Sequence, residues 1–163
     1  MRNLGRKVRP LDHFDCVIMA ELQVRGDLPN VELAPRLRLS PAATLRRVQQ
    51  LRSDGRIEGI QAVINHEKVG LRVEAFVLVT LTEHSEAGDA QFARALDSLP
   101  NVLRADAVTG ADDVLLHIAA VDTRELQNVL RTLPRIGARG VTTLLLLEAV
   151  KPPAPVPVQT KHS

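Results

Sequence analysis

The sequence predicts an α+β protein with an N-terminal winged-type helix-turn-helix domain, a linking strand and a C-terminal ferredoxin-like βαββαβ domain. Three observations carry this. Helical periodicity, punctuated by start and stop residues, fills residues 11–56. Strand and helix patterns then follow in the order strand, helix, strand, strand, helix, strand over residues 73–150. The charge also changes sign along the chain. Residues 1–56 carry eleven Lys/Arg against six Asp/Glu, a net of +5, whereas residues 57–163 carry ten against thirteen, a net of −3.

Residues 1–10, MRNLGRKVRP, are basic and lack apolar periodicity, so they read as a flexible arm. The helix-turn-helix domain spans 11–56. Its first helix opens at Leu11-Asp12, packs Phe14, Val17, Ile18 and Leu22 inward and stops at Gly26. The second, NVELAPRL, is expected to be capped by Asn30 and to pack through Val31, Leu33, Ala34 and Leu37. Pro35 removes a backbone donor there and threatens a bend. The third starts at Ser40-Pro41, cap then first position, and ends at Gly55. Its inward stripe is expected to be Leu45, Val48 and Leu51.

The outward arc of the third helix then holds Ala42, Ala43, Arg46 and Gln50, flanked by Arg47 and Gln49. Its one carboxylate is Asp54, just before the stop at Gly55. A solvated helix normally mixes charge signs. A helix that meets phosphate has no such need, and small residues let it approach a major groove closely. Arginine can pair with guanine edges, and glutamine with adenine edges, in bidentate fashion.

Residues 57–72 are read as a linking strand, IEGIQAVIN, and a connector. The C-terminal domain spans 73–151. In its first strand, VEAFVLVTLTEH, Ala75, Val77, Val79 and Leu81 alternate with Phe76, Leu78, Thr80 and Thr82, leaving both faces partly apolar. SEAGDAQFARALDSLP is a helix with Phe92, Leu96 and Leu99 on one side. NVLRADAVTG and VLLHIAAV form a hairpin about the turn Gly110-Ala111-Asp112-Asp113. Asp122 with Glu125 opens the next helix like a capping box, and Leu126, Val129, Leu130 and Leu133 are its buried stripe. GVTTLLLLEAV (140–150) is the last strand. Helices cover one face of such a sheet. The other face, this rich in Leu and Val, calls for a partner, so an oligomer is expected. Residues 152–163 are proline-rich and expected to be disordered.

Composition narrows the function. The 163 residues include three Phe and no Trp or Tyr, which leaves almost no platform for stacking single-stranded bases. The single Cys16 excludes an internal disulfide and a cysteine-based zinc site. No apolar run reaches the roughly 18 residues of a membrane span, and no signal-peptide core follows the basic start. A cytoplasmic protein without membrane partners is expected. Asp112, Asp113 and His117 are the best catalytic cluster available, but a polar turn followed by a strand histidine accounts for them. No phosphate-binding glycine loop or nucleophile elbow is present. Neither an enzyme nor a metal or cofactor site is expected.

The stretches LDHFDCVIMAELQVRGDLPNVELA, LSPAATLRRVQQLRSDGRIEG, AVINHEKVGL and VTGADDVLLHI stand in this order. Together they resemble the Lrp/AsnC family of bacterial and archaeal transcription regulators over residues 11–151. The resemblance implies double-stranded DNA as a partner. It implies a homodimer built through the effector domains, with tetramers or octamers beyond it, and an amino acid or related small-molecule effector. Ser40, Ala42, Ala43, Arg46, Arg47 and Gln50 fall at its recognition-helix positions. Gly110 and Asp113 fall on its Gly-x-x-Asp turn at the effector pocket, with Thr109 before the turn and Thr143 on the last strand nearby. An acidic pair such as Asp112-Asp113 can hold a ligand's ammonium while backbone N–H groups hold its carboxylate. The sequence departs from the family at Arg38, where glycine is usual in the turn, at Asp112 and Val114, where aromatics are common, and at Pro35.

Two functions follow. One is a sequence-specific DNA-binding transcription regulator whose C-terminal domain oligomerises and senses a metabolite. The alternative is a metabolite-sensing or assembly subunit that binds no DNA and uses its helical front for protein docking.

Overall fold

A computed structural model describes residues 9–83 and 85–159. Most of the basic arm, His84 and the end of the tail lie outside the described residues. The chain forms two compact units. One comprises residues 1–63 and 152–163, the other residues 64–151.

The helical unit contains α1 (His13–Val24), α2 (Asn30–Leu37) and α3 (Pro41–Ser53). A reciprocal capping box starts α1: the Asp12 carboxylate accepts from the Asp15 N–H, and the Asp15 carboxylate accepts from the Asp12 N–H. Ile18, Leu33, Leu37, Val48 and Leu51 form the core, with Met19 and Leu28 completing it. Three details depart from the sequence expectation. The cap of α2 is Pro29, whose carbonyl accepts from Glu32 and Leu33, so Asn30 is already helical. Val31 is exposed. On α3 the buried stripe is Thr44, Val48 and Leu51, while Leu45 is exposed. Thr44 can be buried because its hydroxyl donates to the Ser40 carbonyl 3.1 Å away. Pro35 sits inside α2 without ending it. The donor that it lacks would have served Val31, in the exposed first turn.

The expected strand at 57–64 is not formed. After Ile57 no backbone N–H through Ile64 donates to another backbone group among the described residues. A lone extended segment has nothing to pair with inside one chain. The tail departs as well. Val158 packs against the helical core, and Val156 is held by Gln23.

The second unit contains β1 (Val73–Leu81), α4 (Glu86–Leu96), β2 (Val102–Ala107), β3 (Val114–Ala120), α5 (Thr123–Thr132) and β4 (Ala138–Leu145). Its antiparallel sheet has the order β2-β3-β1-β4. Residues 146–150, expected to extend the last strand, lie beyond β4. Ala75, Val77, Val79 and Leu81 are buried with Leu116, Ile118, Phe92, Val129 and Leu133 between sheet and helices. Strand alternation sends Phe76, Leu78 and Thr80 to the opposite, open face. Leu115, His117, Thr142 and Leu144 lie opposite these residues in register and share that face.

Candidate nucleic-acid interface and ligand site

Ser40 caps α3 through its side chain, which accepts from the Ala43 N–H at 3.2 Å. Burial of Thr44, Val48 and Leu51 turns Ala42, Arg46, Gln49 and Gln50 to solvent, with Ala43 half-buried. Arg46 has no side-chain partner among the described residues, and neither do Arg38 and Arg52. Gln50 donates to Asp54 at 2.7 Å in an exposed contact.

Arg47 behaves differently. Its Nη1 donates to Asp12 Oδ2 at 2.7 Å and to Asp15 Oδ1 at 3.1 Å, and its guanidinium lies 4.9 Å from the Phe14 ring centroid. Asp15 is completely buried, and Arg9 also donates to it at 2.9 Å. Arg47 thus ties α3 to α1. Burial would raise the Asp12 carboxyl, but the Asp15 N–H and the Arg47 guanidinium outweigh it and hold Asp12 below its ordinary value.

Arg38 is the C-cap of α2, at φ 54° and ψ 40°. It is the one non-glycine residue with positive φ among the described residues. This left-handed geometry is the reason glycine suits the position.

In the second unit the β2-β3 hairpin closes through the Val108 N–H, which donates to the Asp113 carbonyl at 2.9 Å. Thr109 and Gly110 are exposed at its tip, and Gly110 has φ 138°. Both aspartates pin this turn to β1. Asp112 Oδ1 accepts from the Thr80 hydroxyl at 3.0 Å, and Asp113 Oδ2 accepts from the Leu81 N–H at 2.8 Å. Gly140 lies opposite Thr80, where an added Cβ would stand 3.2 Å from the Thr80 hydroxyl. Thr142 is in register with Leu78 and so shares the open face with Thr80. Thr143 is in register with the buried Val77 and points to the other face. The structure therefore brings Asp112 toward Thr80 and separates Thr143 from them.

Asp113 and His117 do not form a pair. His117 Nε2 lies 2.9 Å from Glu74 Oε2, and His66 Nδ1 lies 2.8 Å from Glu74 Oε1. Burial would raise the Glu74 carboxyl, but these two hydrogen bonds outweigh it and hold it below its ordinary value. Sequence reasoning missed this cluster, since its members are far apart in the chain.

Two family models match. The AsnC-type helix-turn-helix domain covers residues 11–52, and the Lrp/AsnC ligand binding domain covers residues 74–156. The chain belongs to the Lrp/AsnC family of transcription regulators. A leucine-responsive regulatory protein of Rhizobium meliloti is 36% identical over 143 residues, spanning 86% of this chain and 92% of that protein. The proline dehydrogenase transcriptional activator of Rhizobium radiobacter is 30% identical over 151 residues, spanning 90% and 96%. A transcriptional regulator from Neisseria meningitidis, solved as a complex with L-Met, superposes with a TM-score of 0.83 at 33% identity. It spans 90% of this chain and 96% of its own. These Lrp/AsnC proteins are regulators, not enzymes. In this Lrp/AsnC chain the helix-turn-helix and the α+β ligand-binding domain are both present. No helix among the described residues is long and apolar enough to cross a membrane.

Proposed function

We propose that this Lrp/AsnC regulator reads double-stranded DNA with the outward arc of α3. Arg46 and Gln50 reach base edges, Ala42 and Ala43 permit close approach, and Ser40 stands at the phosphate-facing start of the helix. The observation that carries this reading is Arg46, an exposed guanidinium with no partner among the described residues, in the middle of a helix that lacks acids in its first turn. Arg47 supports the site from behind by holding α3 against α1 and is a positioning residue.

A homodimer forms through the open face of the sheet, where Phe76 and Leu144 are exposed, and its two α3 helices address successive half-sites. The effector is an amino acid or a related small molecule, as the L-Met complex of the Neisseria meningitidis relative suggests. It engages Thr109, Gly110, Asp112 and Asp113, with Thr142 in place of Thr143. The protein acts in the cytoplasm.

Titrating the protein against a labelled fragment from upstream of its own gene, at two salt concentrations and with and without a pool of amino acids, tests this. Saturable binding that weakens steeply with salt and exceeds binding to random DNA is expected. The pool should shift that binding curve, because an effector acts by preferring one state over another. Absence of binding at low salt would overturn the reading.

A further inference from the structure

The tail segment Pro155-Val156-Pro157-Val158 meets α1 in a specific way. The Gln23 side chain reads both backbone groups of Val156: its Oε1 accepts from the Val156 N–H at 2.6 Å, and its Nε2 donates to the Val156 carbonyl at 3.1 Å. Pro155 and Pro157 have no N–H. Val156 is therefore the single backbone donor of that tripeptide, and the donor is satisfied. The flanking prolines also hold the segment extended before it docks, which lowers the ordering cost. Val158 packs against the helical core. Both valines line an open groove of about 620 Å³ together with Met19, Leu22, Ile57 and Ile60, beside α1. Gly26 permits this groove to form, since a Cβ there would stand 2.7 Å from Ile60 Cγ2.

We infer that this groove is a docking site for a proline-spaced valine segment, and that its occupant is the chain's own tail, residues 155–158. The site combines a bidentate amide that recognises backbone with an apolar slot that recognises Val158. Docking shields Met19 and Leu22 of the helical unit. It also gives that unit a second tether, held non-covalently by Gln23 and Val158, because the tail follows β4 just as the linker 57–72 precedes β1. A releasable second tether is a means of restraining the helical unit that the first one alone does not provide. The inference stands apart from the DNA reading and is tested without DNA.

Backbone amide exchange in the full chain is the direct test. The Val156 amide should exchange roughly tenfold more slowly than in a free peptide of the tail sequence. Gln23→Ala, at an exposed helical position that favours alanine, should remove that protection and leave the amides of α2 and α3 unchanged. Val158→Asp should release the tail as well. A labelled peptide of residues 152–160 should then bind the Val158→Asp chain saturably, and the same peptide carrying the aspartate should not. A Val156 amide that exchanges at the free-peptide rate in the unaltered chain would overturn the inference. So would protection that survives both substitutions.

Discussion

Arg47 Nη1 lies 3.1 Å from Oδ1 of Asp15, a carboxylate with no exposed surface, although Arg47 stands on α3, the helix proposed to read DNA. Its neighbour Arg46 is exposed and has no protein partner among the described residues. Two adjacent arginines of the same helix therefore have opposite surroundings, one paired and one exposed. Arg47→Ala should destabilise the helical unit by about 2 kcal/mol, the scale of a charge-assisted hydrogen bond lost from a buried carboxylate. Arg9 continues to pair with Asp15 and limits the loss. Chemical denaturation followed by helical signal measures it, and an unchanged midpoint would refute the tie.

Arg46→Ala should leave the denaturation midpoint within about 0.5 kcal/mol of the unaltered protein, as exposed substitutions usually do. Its effect should fall on DNA, with affinity for the preferred site reduced about tenfold or more. Binding assays on specific and random fragments separate a base contact from a phosphate contact. A loss shared equally by both fragments would assign Arg46 to the backbone.

Arg38 holds φ 54° at the end of α2. Glycine adopts that conformation without a Cβ penalty, so Arg38→Gly should raise stability by about 1 kcal/mol. Thermal unfolding shows the sign directly. A fall in stability would mean that the arginine side chain contributes more than the strained backbone costs.

The hairpin turn depends on Asp113, whose carboxylate accepts from the Leu81 N–H at 2.8 Å. Asp113→Ala should leave that donor unpaired and cost about 1–2 kcal/mol. Asp113→Asn keeps an acceptor oxygen and should lose less. If both variants lose effector response equally while only alanine loses stability, the carboxylate charge itself serves the ligand.

Acid should weaken the helical unit through Asp12. Its folded-state value lies below its unfolded one, so its contribution is complete above about pH 4 and disappears as the pH falls further. Asp12→Asn should lower stability at neutral pH and flatten the loss below about pH 4. A slope unchanged by the substitution would assign the acid sensitivity elsewhere.

Much of this was legible in the sequence because it is local. Ser40-Pro41 marks a helix start through one residue's hydroxyl and the next residue's fixed φ. The alternation from Ala75 to Leu81 marks a strand whose odd-numbered residues are buried. The turn 110–113 announces the hairpin that β2 and β3 form. Where the reading failed, side-chain hydropathy alone did not show the deciding interaction. Leu45 looked more apolar than Thr44, yet Thr44 is buried, because its hydroxyl is satisfied one turn back. The register of Thr143 with Val77, which gives it the face opposite Thr80, is likewise not visible in the sequence.

The sequence by itself determined the order of helices and strands over residues 13–53 and 73–145 and the helix that carries the outward arginine, since periodicity, caps and turns act within a few residues. Only the tertiary structure decided which arginine is held inside, which face Thr142 takes, that Glu74 joins His66 to His117, and that the tail returns to α1. Each of these is a contact between residues whose separation along the chain says nothing of their distance in space. Packing and hydrogen-bond satisfaction select such pairs only after the backbone has folded.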